Sequence, residues 1–418
     1  MRHCCVGFRR RPFRMAVPII AALVAVGGVI GGAPRADAAD FYTPPDKVGP
    51  AAAQPGVLVR TQSMPLMLPG RATRIMYMTS YTDKDPVAAT GTVVEPLGAW
   101  TRGGPRPTVV IGPGTVGQGD QCAPSKLMGT PAAFDPSKGS LALNFVIPEM
   151  LLLLNNGVRV AVPDYVGMGT PGVATYLNRA EQGYAMIDAA RAALKLADAP
   201  GTAPVGFSGY GQGGGAAAAA AEIAPDYAPE LDVRAVHAGA PLVDVIAAIN
   251  QVDGTHDAGT IGYLINGLNV RYPNARAAFH RDLNAAGTTM LAAVANQCIT
   301  DTGFAYGARR SNLWTQSGES LGQLIARTPE LQKTLAAQRV GNGRPKAPVL
   351  IEAAPADDLV PYSAARRLYD EWRGKGVAVS LLNDGTPPLL PGTGITHAVA
   401  KVPNLIPATS YLMSAFAD

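Results

Sequence analysis

Cysteine is scarce in this chain, with four in 418 residues, and two of those, Cys4 and Cys5, lie at the extreme N-terminus. Histidine is nearly as rare; beyond His3 there are only His237, His256, His280 and His397. So few soft or imidazole ligands exclude a dedicated zinc cage, and no metal or organic cofactor is implied. Charged residues make up 16% against 47% apolar ones, which excludes a disordered or acidic-tail protein and leaves enough to bury a sizeable core. The 47 glycines and 36 prolines follow no collagen-like period and form no low-complexity tract, so they are expected in turns and long loops. The formal charge of +4 is also misleading, because residues 1–38 hold six arginines and one acid. Without them the chain has 29 bases and 30 acids, and the main electrostatic argument for a nucleic-acid partner disappears.

What is present first is a leader. The basic stretch Arg9–Arg14 precedes an apolar run, Ala16–Gly32, and then Ala36-Asp37-Ala38. That order is the n-region, h-region and A-x-A site of a secretory signal peptide, expected over 1–38. About 17 apolar residues interrupted by glycine and proline make a poor permanent membrane span. The expected location is extracellular or in the cell envelope, with the export route left open. In such a compartment the two remaining cysteines, Cys122 and Cys298, most simply form one disulfide, two free buried thiols being the alternative.

Short β-branched runs recur along the chain, each followed by turn residues and an Ala-rich stretch. They are Thr108–Ile111, Val158–Val162, Pro204–Phe207, Val233–His237, Pro348–Glu352 and Val377–Leu381. Segments such as Arg179–Ala197 and Gly213–Ile223 have helical spacing. This alternation predicts an α/β protein with a doubly wound, mostly parallel sheet. Between about 242 and 343 the period is helical and strands are lacking, so a helical cap is expected there, inserted into a single domain over 39–418. The Pro-rich residues 39–57 are expected to form an extended arm.

The most informative segment runs from Pro204 to Gly215 and reads as strand, tight turn and helix start. Gly209-Tyr210-Gly211-Gln212-Gly213-Gly214 satisfies the dinucleotide fingerprint G-x-G-x-x-G. That fold also needs an acid ending the next strand, and Val233–His237 runs into Ala238-Gly239 instead. The better comparison is the nucleophile elbow G-x-S-x-G, in which serine sits on a strained strand-to-helix turn. Here the flanking glycines are present and the serine position holds Gly211.

The sequence resembles the secretory lipases, an α/β-hydrolase family that includes yeast lipase A and actinobacterial members. The resemblance rests on Gly209–Gly214, Tyr227–Val233, Ala238–Pro241, Gly117–Ser125, Asp164–Pro171 and Asp40–Pro45, in order over essentially the whole mature chain. It implies an α/β-hydrolase fold with a lipid or other acyl ester as the partner small molecule, and contact with a lipid interface. It places the catalytic acid at Asp357, in Ala356-Asp357-Asp358-Leu359-Val360-Pro361, and the catalytic histidine at His397, in a loop near the C-terminus. The oxyanion hole would use the N–H of Gln212 together with Asp120, and Cys122 and Cys298 match a disulfide pair of the family. The departure is Gly211, which offers no atom to attack an acyl carbon.

Other residues receive plainer readings. Ser208 and Ser125 are read as structural, His237 as a satisfied core residue, and His256 and His280 as surface or packing residues of the helical segment. Asp358 is the less favoured candidate acid, and Asp164 is read as either pocket-lining or loop-capping. Two functions remain: carboxylic-ester hydrolysis impaired at Gly211, with a water activated by His397 as one residual route, or binding of a lipid or protein partner without catalysis.

Overall fold

The structure is a computed structural model and describes residues 41–45 and 49–417. The signal-peptide reading of 1–38 falls outside the described residues. Phe41 and Tyr42 are buried against Met76, Met78 and Ala88, and residues 50–56 form turns rather than the expected extended arm, with Ala52 N and Ala53 N donating to Gly49 O.

Eleven strands are described: β1 (Leu58–Met64), β2 (Gly70–Ser80), β3 (Pro86–Pro96), β4 (Thr108–Gly112), β5 (Ala132–Asp135), β6 (Ser140–Leu143), β7 (Arg159–Pro163), β8 (Val205–Tyr210), β9 (Val233–Gly239), β10 (Val349–Ala353) and β11 (Val379–Asn383). Nine of them form one sheet in the order β1-β2-β3-β7-β4-β8-β9-β10-β11, and β5 and β6 make a separate hairpin. Pairing from β7 through β11 is parallel, whereas β1, β2, β3 and β7 pair antiparallel. Every residue of β4, β7 and β8 is buried, because helices cover both faces and the strands read as continuous apolar runs. The sequence reading found this parallel half and missed the antiparallel strands β1–β3. Arg71, Thr73 and Arg74 interrupt the apolar signal of β2, whose burial is complete only from Ile75 onward.

The helices divide into two layers and a separate group. On one face lie α2 (Arg179–Leu196), α3 (Gln212–Tyr227) and α11 (Tyr362–Gly374), sharing a core that includes Phe207, Ala216–Ala221 and Trp372. The small side chains let α2 and α3 approach closely; a Cβ on Gly183 would stand 2.6 Å from Ile223. On the other face lie α1 (Ile147–Asn155) and α12 (Ile395–Ala415), with Leu412, Met413 and Phe416 packed beside Val109 and Val160. The third group, between β9 and β10, comprises α4 (Val245–Val252), α5 (Thr260–Arg271), α6 (Pro273–Asp282), α7 (Ala285–Val294), α8 (Ile299–Tyr306), α9 (Leu321–Arg327) and α10 (Pro329–Ala337). These helices enclose a core of their own around Ile261, Leu264, Phe279, Leu324 and Leu335.

This helical group is tied to the sheet by covalent and backbone links. Cys122, on a short 3₁₀ turn after β4, is bonded to Cys298 at the start of α8 across 176 residues. Alongside it, the N–H of Gln118 donates to Gln297 O, and the N–H of Ile299 donates to Val116 O, at 3.0 and 2.9 Å. Replacing Cys122 and Cys298 together by serine is expected to lower the unfolding free energy by ~2–5 kcal/mol, because the open loop regains entropy when unfolded. Equilibrium denaturation in urea measures this; an unshifted midpoint would show that packing alone holds the helical group.

Candidate active site

The turn between β8 and α3 is built by contacts that leave no space for side chains. A Cβ on Gly213 would lie 2.0 Å from Gly112 O, and one on Gly214 would lie 2.2 Å from Gly239 O. Only glycine lets the first turn of α3 press so closely on the ends of β4 and β9. Between strand and helix, Gly211 adopts φ +62°, ψ −119°, a conformation side-chain-bearing residues rarely take. Its N–H donates to Gly239 O at 3.0 Å, and its carbonyl accepts from Leu242 N at 3.2 Å. The direction in which a side chain at 211 would point is therefore fixed. A Cβ there would stand 3.1 Å from His397 Nε2.

His397 lies in the first turn of α12 rather than in a loop, correcting the sequence expectation. Gly394 opens this helix from the left-handed region at φ +77°, while Pro403 and Pro407 inside it weaken the helical pattern of the sequence. Three groups hold the histidine. Its Nδ1–H donates to Asp357 Oδ2 at 2.8 Å, and its backbone N–H donates to Asp358 Oδ1 at 3.2 Å. The Tyr210 hydroxyl donates to its carbonyl at 2.9 Å, with the two rings 4.7 Å apart. Asp358 also accepts from Gly394 N at 2.8 Å, so it organises the start of the helix while Asp357 meets the imidazole.

Asp357 Oδ1 accepts from Leu359 N and Val360 N, both at 2.9 Å. Burial pushes this carboxyl up, but the adjacent His397 and the two backbone donors outweigh burial and hold it below the usual aspartate value. An ionised Asp357 fixes the proton on Nδ1 and leaves the Nε2 lone pair facing Gly211.

Gln212 begins α3, so its N–H has no acceptor within the helix and carries the positive end of the helix dipole. Its side chain is occupied elsewhere, donating from Nε2 to Gln182 Oε1 at 2.8 Å. Asp120 is not brought to this place. It sits on the 3₁₀ turn next to the disulfide, its Oδ1 accepts from Gly169 N at 3.0 Å, and it does not line the cavity beside Gly211. The loop after β4 brings Gly114 and Thr115 there instead.

The elbow and His397 open onto a cavity of about 600 Å³. Its walls are largely apolar, with Leu242, Ile249, Val252, Ile261 and Leu264 from the helical group and Leu405 from α12. His256 and Asp257 also reach it, a place the sequence reading did not give His256; they bond to each other at 2.9 Å. His280 is exposed on α6.

The remaining sequence candidates lie elsewhere. Ser208 is fully buried, donates to Glu149 and meets His237 Nδ1 at 3.0 Å, while His237 Nε2 meets Glu352 at 3.1 Å. Ser208 thus has a structural role, as the sequence reading expected, and His237 is a satisfied core residue. Ser125 and Asp164 bond to each other, with Tyr42 and Thr90 as further partners, in a buried knot.

Two stability predictions follow from this geometry. Because its folded pKa is lowered, Asp357 contributes stability that is complete above its ordinary value of 3.8 and is lost as pH falls through the lower folded value. Asp357→Asn is thus expected to be less stable than the parent near about pH 7, with the gap closing only once the pH falls below 3.8. A gap that stays constant across a pH series of thermal melts would contradict this. Gly211→Ser is expected to cost about 1–3 kcal/mol, because serine must adopt the unfavourable backbone conformation and His397 must withdraw slightly. Chemical denaturation gives this value directly, and an unchanged midpoint would show the turn to be unstrained.

The chain is similar to known proteins over most of its length. The pattern of the secretory lipase family matches residues 142–408, well over half of the chain. A probable inactive lipase of Mycobacterium tuberculosis is 28% identical over 82% of this chain and 76% of its own. A secreted triacylglycerol lipase of Malassezia furfur is 27% identical, covering 81% of this chain and 68% of its own. Among solved structures, Candida antarctica lipase A in its closed state superposes with a TM-score of 0.76 at 22% identity, over 90% of this chain and 85% of the other. The sheet with its two helical layers is an α/β-hydrolase fold, and the chain belongs to the secretory lipase family.

Proposed function

We propose that the protein is an exported lipase-family member that receives an acyl ester in the cavity beside Gly211, and that its capacity to hydrolyse the ester is impaired. The observation that carries this reading is a histidine–aspartate pair whose Nε2 is aimed, 3.1 Å away, at the Cβ position of a residue with no side chain. Acyl transfer of this type needs an oxygen nucleophile that the imidazole can deprotonate. In a comparable triad, removal of the nucleophile costs about 10⁶ in turnover. Ser208 offers no substitute, since it is buried under the elbow with its hydroxyl engaged.

The basic, apolar and Ala-x-Ala order of the leader supports export to the cell envelope or beyond it. In this reading the helices between β9 and β10 cap the acyl site. Exposed Val399, Val402 and Ile406 on α12, with Val402 at the cavity, support contact with a lipid interface. The second reading, binding without catalysis, is favoured by Gly211 itself.

The test is hydrolysis of short and long p-nitrophenyl esters by the mature protein and by Gly211→Ser, each also treated with a serine-reactive phosphonate. Gly211→Ser is expected to gain about three orders of magnitude or more in turnover and to become labelled, while the natural protein stays near background. Turnover and labelling of the natural protein would overturn the proposal by showing that another serine attacks.

A further inference from the structure

We propose that the ligand this site is built to retain is a free fatty acid, with its carboxylate seated between His397 Nε2 and the Gln212 N–H and its chain in the apolar cavity. This rests on the preceding reading of the cavity as an acyl site, and it names the chemical class that the site without a nucleophile prefers.

The first argument is steric. In a serine hydrolase of this geometry the nucleophile's side chain stands between the imidazole and the bound acyl group. Gly211 puts nothing there, and even a bare Cβ would lie 3.1 Å from Nε2. The space opposite the imidazole can therefore take a ligand oxygen at hydrogen-bonding distance. With serine at 211 the same space would be filled by the hydroxymethyl group.

The second argument concerns protons. Asp357 takes the Nδ1–H, so the neutral imidazole presents only a lone pair at Nε2. An ester also presents only lone pairs, and the two cannot bond. A carboxylic acid brings the missing proton. The un-ionised acid gives its O–H proton to Nε2, or the carboxylate binds together with one proton from water; either way a carboxylate–imidazolium pair remains, with no electron transfer. The imidazolium then lies between two carboxylates, that of the ligand and that of Asp357, whose ionised form the loop stabilises through Leu359 N and Val360 N. Charge-assisted bonds of this kind are stronger than neutral ones.

The third argument is the surroundings. The second carboxylate oxygen faces the first N–H of a 16-residue helix, where negative charge is favoured. Beyond this polar end the walls contributed by α4 and α5 are aliphatic, Ile249, Val252, Ile261 and Leu264 among them. His256, Asp257 and Lys401 also reach the cavity, but His256 and Asp257 bond to each other and Lys401 donates to Phe145 O. The open donor and lone pair are therefore those at Gln212 and His397, and with the aliphatic walls they match a single-chain amphiphile. An ester requires further room for its alcohol part.

The experiment is competition against a fluorescent fatty-acid analogue on the mature, disulfide-bonded chain, using palmitate and hexadecanol as a pair. The natural protein is expected to bind the acid about tenfold or more tightly than the alcohol. Gly211→Ser is expected to lose most of that preference, and His397→Gln to lose it as well, with circular dichroism confirming that each variant is folded. Equal affinity for acid and alcohol in the natural protein overturns the carboxylate seat but leaves the acyl cavity standing. Failure of both to displace the probe overturns the acyl-site reading itself. If Gly211→Ser keeps the full preference for the acid, the carboxylate does not occupy the space beside residue 211, and the proposal falls.

Discussion

The close approach of the α3 N-terminus to the ends of β4 and β9 is the constraint on which the rest of the site depends. Gly213 against Gly112 O and Gly214 against Gly239 O bring the helix backbone nearer to the strands than any Cβ would permit. The chain must then turn within a single residue between Tyr210 and Gln212, which forces Gly211 to a positive φ. That residue therefore points at the imidazole whatever its identity. Geometry and reactivity are separable here, since the turn needs glycines around it while chemistry needs an oxygen on it, and this chain satisfies only the first requirement.

The same separation bears on why the other site residues persist. An aspartate–histidine pair aimed at Gly211 does not by itself argue for catalysis. Asp357 accepts two backbone N–H groups of its own loop, and Asp358 holds the start of α12 through Gly394 and His397. Tyr210 fastens the carbonyl of His397 from the other side. Buried donors and acceptors released by removing any of these groups would carry a desolvation penalty. The pair thus has structural duties that do not require turnover. Asp120 is a parallel case, with its carboxylate satisfied by Gly169 N at a distance from the cavity.

How much was legible in the sequence follows from burial. Strands β4, β7, β8, β9 and β10 are covered on both sides and so appear as apolar runs between turn residues, and α2 and α3 declare themselves by small residues at helical spacing. The pairing of Asp357 with His397 was anticipated only through the resemblance to the secretory lipases, since no local pattern of residues encodes a contact 40 positions apart. The antiparallel strands β1–β3 were not, since arginine and threonine at partly exposed positions break the alternation. The helix carrying His397 was hidden by two internal prolines. Asp120 drew attention through its neighbouring motif, whereas Thr115, next to a strand end, had no distinctive chemistry to mark it. The place of His256 at the cavity depends on contacts between α5's leading loop and the chain near Gly392, whose carbonyl accepts from His256 N at 2.7 Å. No local pattern announces a contact of that sequence separation.

Ser208 shows why residue type alone misleads at such a site. Directly beneath the elbow, Glu149, Ser208, His237 and Glu352 link α1, β8, β9 and β10 through side-chain bonds. In composition this is a serine, a histidine and a carboxylate within reach of one another, the same set a hydrolase uses. Ser208 is nevertheless fully buried, and none of the four lines the cavity. Burial raises the Glu352 carboxyl and lowers the nearby Lys401 ammonium, while the lysine's attraction to Glu149 and Glu352 opposes its own shift. Groups so placed satisfy one another and knit four elements together, a network whose members are costly to remove singly. Two arrangements of hydrolase-like residues thus lie one above the other in this fold. The lower one holds a fully buried serine, and the upper one lines the cavity with glycine at residue 211.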